Sequence, residues 1–404
     1  MSAAEPDRHT ETDEYITLFH RYISRSVEAL IARLGPELQE LTNDTREQAW
    51  HLLDYALKLA HGWAVACDLL LALAPRMERD GFRHEWLPFL ERGVACCQRA
   101  NDLGGEAQLC LYIGRIHRLR SDYALANTWF EASAIIYQQL DDHAGRAKAL
   151  NQLAYVARLQ SQFDEAKELV NEALSLLDED DVERGTSHWV LGTVAQYQLD
   201  WTLAERHHQM ALEIWKKSGD QLRIAWGLQN LGDTLRYAER FTEAAEYIQQ
   251  AITLLGDQHD VTNQGIARMN LGVIYLYRDD AEKAQALFAL AESVFRQVDD
   301  QLHLAMVYTN LTIAERELQN WQAAELAGQR ALQLSQVLEN GKFMANAKDE
   351  LGMVYLVQNR RAEAITVFEE GLTIIGQVAV DPFQKLVQSS LLAHLEDAKQ
   401  LGDT

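Results

Sequence analysis

The sequence predicts an all-α protein built as an array of paired helices, and three observations carry that reading. Apolar residues recur at steps of three and four along most of the chain, the period of a helix with one buried face. Only five prolines occur, and none lies between Phe89 and Asp381. An interior proline costs a helix about 3 kcal/mol, so so long a proline-free run suits uninterrupted helices. Small residues also return in three columns at forty-residue spacing, the mark of a repeated helix–turn–helix unit.

The clearest copy runs from Ile224 to Leu255. Leu228, Leu231 and Leu235 mark the buried stripe of its first helix, and Phe241, Ala244, Ile248, Ala251 and Ile252 that of its second. A turn at Ala238–Glu239–Arg240 joins them, and the small residues Gly232 and Ala244 let the two backbones approach. The first column is Gly114, Ala154, Gly192, Gly232, Gly272, Thr312 and Gly352. The second is Ala126, Ala166, Ala204, Ala244, Ala284, Ala324 and Ala364, and the third is Ser133, Ala173, Ala211, Ala251, Ala291, Ala331 and Gly371. Every step is forty residues except the thirty-eight into Gly192. An aromatic stands at the turn in Tyr123, Phe163, Trp201, Phe241 and Trp321.

These columns resemble the tetratricopeptide repeat (TPR), and the forty-residue spacing is similar to the longer form found in kinesin light chains and in the sensor regions of bacterial STAND-type signalling ATPases. The resemblance covers residues 107–376, with a degenerate copy before them. One departure is the missing proline at the close of the second helix. Asp141–Asp142, Ser218–Gly219–Asp220, Gly256–Asp257, Asp299–Asp300 and Asn340–Gly341 supply the stop instead. The resemblance implies a right-handed superhelical solenoid of antiparallel helix pairs, with first helices lining a concave groove.

The resulting organisation is a disordered tail over 1–12, an N-terminal helical segment over 13–62, a degenerate repeat over 63–106, seven repeats over 107–380 and a C-terminal capping helix over 381–404. The N-terminal segment has a helix from Asp13 to Leu34, stopped by Gly35–Pro36, and a second one opened by Asn43–Asp44. It reads either as a cap on the array or as a module that recruits another protein. In the degenerate repeat Pro88 suits a first helical turn, whereas Pro75 is expected to kink or end its helix. Asp381–Pro382 is the start signal of the last helix.

A formal net charge of -23 disfavours nucleic acid as a partner, because phosphates would meet a repelling field. Cys67, Cys96, Cys97 and Cys110 have neither metal-ligand spacing nor a disulfide pattern and read as buried thiols. The polar, acidic N-terminus has no secretory signal, and the longest apolar run is too short to span a bilayer, so a cytoplasmic protein without membrane contact is expected.

First helices of the opening five well-formed repeats carry Arg115, Arg118, Arg120, Lys148, Arg158, Arg223, Arg236, Arg268 and Arg278, with Asp233 the one acid within the same cores. Glu315, Glu317, Asp349 and Glu350 come in the last two repeats. The expected groove is therefore neutral to basic and turns acidic towards its C-terminal end. Two residues before the first small column stand Asn230, Asn270 and Asn310, a ladder of amides that can satisfy the main chain of an extended peptide. The kinesin-light-chain likeness implies the same role; tying neighbouring helices together is the alternative. Asn151 sits one residue off that ladder as a weaker candidate. Tyr155, Trp189, Tyr197, Trp226, Tyr237 and Tyr277 are the candidate specificity residues, since aromatic and arginine side chains dominate binding hot spots.

No phosphate-binding loop, metalloprotease spacing, calcium loop or nucleophile signature occurs, so neither catalysis, a cofactor nor a metal is expected. The expected function is a non-catalytic scaffold or adaptor that holds an extended protein or peptide segment. The bacterial sensor likeness implies signalling or defence, including action on a separately encoded effector. A receptor for a short signalling peptide and a self-assembling homo-oligomer are the alternatives.

Overall fold

The computed structural model describes residues 8–35, 41–59, 63–80, 83–258 and 260–400. Among them are nineteen α-helices, packed as consecutive neighbours, and no strand. Residues 1–7 of the expected tail lie outside the described residues, but α1 (Arg8–Leu34) already begins at Arg8 rather than Asp13. Then come α2 (Asn43–Ala56), α3 (Trp63–Asp80), α4 (Arg83–Ala100), α5 (Leu103–Leu119), α6 (Tyr123–Gln139), α7 (His143–Leu159), α8 (Phe163–Leu176) and α9 (Glu183–Tyr197). The remainder are α10 (Trp201–Ser218), α11 (Gln221–Tyr237), α12 (Phe241–Asp257), α13 (Val261–Leu276), α14 (Ala281–Gln297), α15 (Gln301–Glu317), α16 (Trp321–Val337), α17 (Gly341–Val357), α18 (Arg361–Ile375) and α19 (Pro382–Gln400). Two compact units divide the chain, Met1–Val190 and Leu191–Thr404.

The forty-residue period has a local cause. Most repeat helices are seventeen residues long, and most connectors are three: a C-cap, a residue in the left-handed region and an N-cap. Asp122, Asp142, Asp280 and Asp300 show the economy of this turn. Each donates its N–H five residues back, to His117, Tyr137, Tyr275 and Phe295 respectively, in a Schellman-type closure. The carboxylates of Asp142, Asp280 and Asp300 then accept from the N–H three residues ahead and open the next helix. The shortened step into Gly192 reflects a different connector, in which α8 stops at Leu176 and α9 has fifteen residues.

Size complementarity explains the first column. A Cβ on Gly114 or Gly272 would stand 2.5 Å from the ring of Phe130 or Phe288, sixteen residues on, and Gly352 meets Phe368 in the same way. Gly232 meets Ile248 at 2.5 Å, and Gly192 meets His208. Thr312 departs from the column and faces Gly328, so the large and small partners have exchanged helices. Ala154 is paired in register with Val170, and both are fully buried.

In the first unit α1 to α6 share a core that includes Val27, Leu53, Leu73, Trp86 and Ile113. Arg76 donates to the Leu34 and Gly35 carbonyls at 2.9 Å and so ties the end of α1 to α3. Pro75 does not end its helix, and the expectation for Pro88 is corrected. α3 runs through Pro75 to Asp80, with Leu73, Ala74 and Met77 held in the core on either side, and Pro88 lies in the second turn of α4 because that helix starts at Arg83. Thr42, rather than Asn43 or Asp44, caps α2.

In the second unit successive first helices also touch one another, α11 to α13, α13 to α15 and α15 to α17. α19 packs on α17 and α18, occupying the place of a further first helix. Asp381 caps it by accepting from Gln384 N–H at 2.7 Å, as the Asp–Pro pair predicts, and Val387 and Leu391 enter the core.

Candidate functional site

Along the first helices, side chains two residues before the small column and one residue after it are mostly half-buried. Those five residues after it are exposed at Tyr197, Tyr237, Tyr277 and Glu317. In the first unit Arg118, Tyr155 and the buried Arg158 meet Trp189, which stands three residues before Gly192. The Arg118 and Arg158 guanidiniums lie over the Tyr155 ring at 4.9 and 4.5 Å from its centroid, and Trp189 stacks on it at 4.8 Å. Burial pushes the Tyr155 phenol up, but the charges of Arg158 and Arg118 outweigh it and hold the phenol below its ordinary value. Arg115 approaches Tyr112 at 5.6 Å instead of joining the cluster.

Asn151 is corrected. It is fully buried, its Nδ2 donates to Glu183 Oε1 at 3.0 Å, and its Oδ1 accepts from Ser187 Oγ at 3.0 Å. One residue of register turns the amide inward, where it ties α7 to α9. The ladder position itself is held by Gln152, which is half-buried and makes no side-chain hydrogen bond among the described residues. Gln152 stands two residues before Ala154, so the column spacing could have found it.

In the second unit Asn230 and Trp226 face the same side but are partly engaged. Asn230 Nδ2 donates to the Trp226 carbonyl at 2.8 Å, and Trp226 Nε1 donates to Asp260 Oδ2 at 3.3 Å. Arg236 bonds Asp233 at 2.7 Å and lies 3.9 Å from the Tyr237 ring centroid. Burial lowers the Arg236 pKa, yet the neighbouring Asp233 carboxylate and Tyr237 more than offset it and raise it overall. Tyr237 also stacks on Trp201 at 5.0 Å, and Tyr277 stacks on Phe241 at the same distance, so the turn aromatics grip the end of the next first helix. Tyr197 is exposed at the corresponding position.

Asn270 and Asn310 differ from Asn230. Both are half-buried, and neither side chain has a hydrogen-bond partner among the described residues. Asn310 and Tyr277 come together in a cleft of about 810 Å³ between α13 and α15, whose floor is formed by Val273, Leu276, Ile313 and Leu318.

The expected charge pattern is modified at particular residues. Arg223 pairs with Asp220 at 3.3 Å, Arg236 with Asp233, and Arg316 with Glu350 at 2.7 Å, so these guanidiniums do not form an open basic strip. At the expected acidic end Glu317 is exposed, whereas Asp349 is buried beneath α19, accepting from Ser390 Oγ at 2.6 Å and bonding His394 Nδ1 at 2.7 Å. Ser390 donates to Asp349 and not to His394, so this trio anchors α19. Glu315 faces α14 and accepts from Gln285 at 2.7 Å.

An all-α array of regular helix pairs with a polar and aromatic first-helix face defines a repeat protein. A tetratricopeptide-repeat family model matches residues 107–179, 183–256 and 264–336, more than half of the chain. The chain belongs to the tetratricopeptide-repeat family. Structures of similar fold include a STAND signal-transduction ATPase with a tetratricopeptide-repeat sensor from Pyrococcus horikoshii, at 14% identity and TM-score 0.56 over 99% of this chain and 65% of that one. A Rap protein complexed with competence and sporulation factor has 12% identity and TM-score 0.55 over 96% and 98% of the two chains. Aspartyl phosphate phosphatase F from Bacillus subtilis has 12% identity and TM-score 0.54 over 94% and 96%. At such identities the likeness is one of fold. No curated protein matches the chain in sequence. Among the described residues no helix is long and apolar enough to cross a membrane.

Proposed function

We propose that this protein is a non-catalytic scaffold that holds an extended segment of a partner protein against its first-helix face, acting in bacterial signalling or defence in the cytoplasm. The observation that carries the reading is the pair of half-buried amides of Asn270 and Asn310. They stand forty residues apart on neighbouring first helices with no partner among the described residues. A side-chain amide that is partly removed from water and left unengaged is a ready donor and acceptor for a peptide main chain. The aromatic side chains Tyr237 and Tyr277 at the edge of that face supply contact area of the kind that dominates hot spots.

A second reading, a receptor for a short signalling peptide, is favoured by the cleft beside Asn310, whose volume falls in the range of small-ligand sites. The similar Rap structure holds a competence and sporulation factor. Affinity capture from lysate of the source cell, comparing wild type with Asn270→Ala/Asn310→Ala, tests both. A protein retained by wild type and lost by the variant, with an unchanged melting curve, supports the scaffold, and a short peptide lost in the same way supports the receptor. Identical captures from both forms remove the function from this face.

A further inference from the structure

The cleft between α13 and α15 has a composition at odds with the chain's arginine-bearing first helices. Its floor is apolar, and its rim is made by the carboxylates of Asp279, Asp280, Glu282 and Glu317, with no basic side chain among the residues that line it. Three cations lie near the rim, of which Arg278 stands over the Tyr275 ring at 6.0 Å and the other two are held by carboxylates. Lys283 is bound to Asp280 at 2.6 Å, and Arg316 reaches Glu317 only at 3.5 Å while holding Glu350 at 2.7 Å. Asp279 and Glu282 are exposed and have no cationic partner among the described residues. The rim therefore keeps a surplus of negative charge above apolar walls, with the free amide of Asn310 beside it.

We infer that this cleft seats a lysine or arginine side chain of an extended partner segment, its aliphatic stem lying on Leu276 and Ile313 and its charged head among Asp279, Glu282 and Glu317. A long basic side chain matches both halves of the cleft, since its methylenes bury on apolar surface while its head stays at a polar rim. The exposed ring of Tyr277 at the edge offers the same cation a π face. Asn310 then holds the main chain next to the inserted residue. This assignment rests on the peptide-binding reading above and adds the chemistry of the residue that is recognised.

The test uses the full chain and two labelled short peptides, one alternating leucine with lysine and the other leucine with glutamate, in fluorescence anisotropy at low and high salt. The lysine peptide is expected to bind wild type and to weaken by about tenfold or more with Glu282→Lys/Glu317→Lys, because each reversal replaces attraction by repulsion at the rim. Asp178→Lys/Glu179→Lys, in the exposed connector before α9, controls for the acidity of the whole chain and is expected to change affinity by less than about twofold, since neither residue lines the cleft. Equal loss in the rim and control variants, or tighter binding of the glutamate peptide by wild type, overturns the assignment. Lysine-peptide binding that survives the rim reversal but is lost in Asn270→Ala/Asn310→Ala leaves peptide binding standing and removes the basic residue from the cleft. Binding of neither peptide to wild type overturns both.

Discussion

Asn151 and Asn310 are the same residue type on corresponding first helices of the two units, and they have opposite fates. Asn151 stands three residues before its small column and is fully buried between Glu183 and Ser187. Asn310 stands two residues before its column, half-buried and unengaged at the cleft. One residue is about 100° of helical rotation, enough to carry a side chain from an interhelical seam to the open face. The surrounding charges follow the same contrast. In the first unit Arg118 and Arg158 close over Tyr155, whereas in the second Arg223, Arg236 and Arg316 are paired with Asp220, Asp233 and Glu350. Basic residues counted along the helices therefore do not report the charge of the surface they form.

The largest effect that separates the two asparagines is on stability. Asn151→Ala removes a buried partner of the Glu183 carboxylate and should destabilise the first unit by about 3 kcal/mol, since hydrogen bonds to charged groups are the costly ones to lose. Urea unfolding read by circular dichroism checks this, and an unchanged midpoint would remove Asn151 from the interior. Next is the small column. Gly272→Ala places a Cβ against the Phe288 ring and should cost about 1–3 kcal/mol, as overpacking does. Ala154, facing the smaller Val170, already carries that methyl, so the same unfolding measurement contrasts a filled site with one that has room.

A smaller effect comes from the connectors. Leu199 is exposed in the left-handed region at φ 62°, where the first-unit connectors place Ser121 and Ser161. Leu199→Gly should stabilise the second unit by about 1 kcal/mol, seen as a higher unfolding midpoint, because glycine carries no Cβ penalty there. At the end of that unit, hydrogen bonding to Asp349 favours the charged His394 imidazole over the opposing effect of burial, and raises its pKa in the fold. Its contribution to the docking of α19 is fully present below the unfolded value of about 6.5 and is lost as pH rises through the higher folded value. Hydrogen exchange corrected for intrinsic rates should thus show less protection of α19 amides at high pH, and His394→Gln should abolish the difference. Smallest of all, Asn270→Ala/Asn310→Ala should shift the unfolding midpoint by less than about 0.5 kcal/mol, as expected of side chains that bond nothing in the fold. A drop comparable with that of Asn151→Ala would make the ladder structural.

Helix pairing, the period and the last helix were legible because they rest on local chemistry: aspartates that cap, apolar steps of three and four, and alanines where backbones approach. Thr312 was legible only as a departure, since nothing along the chain announces that Gly328 receives it. Gln152 was within reach of the same column arithmetic that gave Asn230, Asn270 and Asn310. The sites at Asp349 and Arg316 were not, because their partners Ser390, His394 and Glu350 lie 34 to 45 residues away in sequence and meet them only once α17, α15 and α19 pack. Pro75 shows the converse. Its local preference to break a helix is outweighed by the core around Leu73, Ala74 and Met77.

The sequence by itself thus determined that this is an all-α tetratricopeptide array with a forty-residue unit, because capping and helical periodicity act within one or two turns of chain. Which amides remain open, which arginines are neutralised and where a cleft forms were decided by the tertiary structure. Those properties depend on the side chain that arrives from the neighbouring helix, and a single-residue rotation or one ion pair changes the outcome without altering the repeat that carries it.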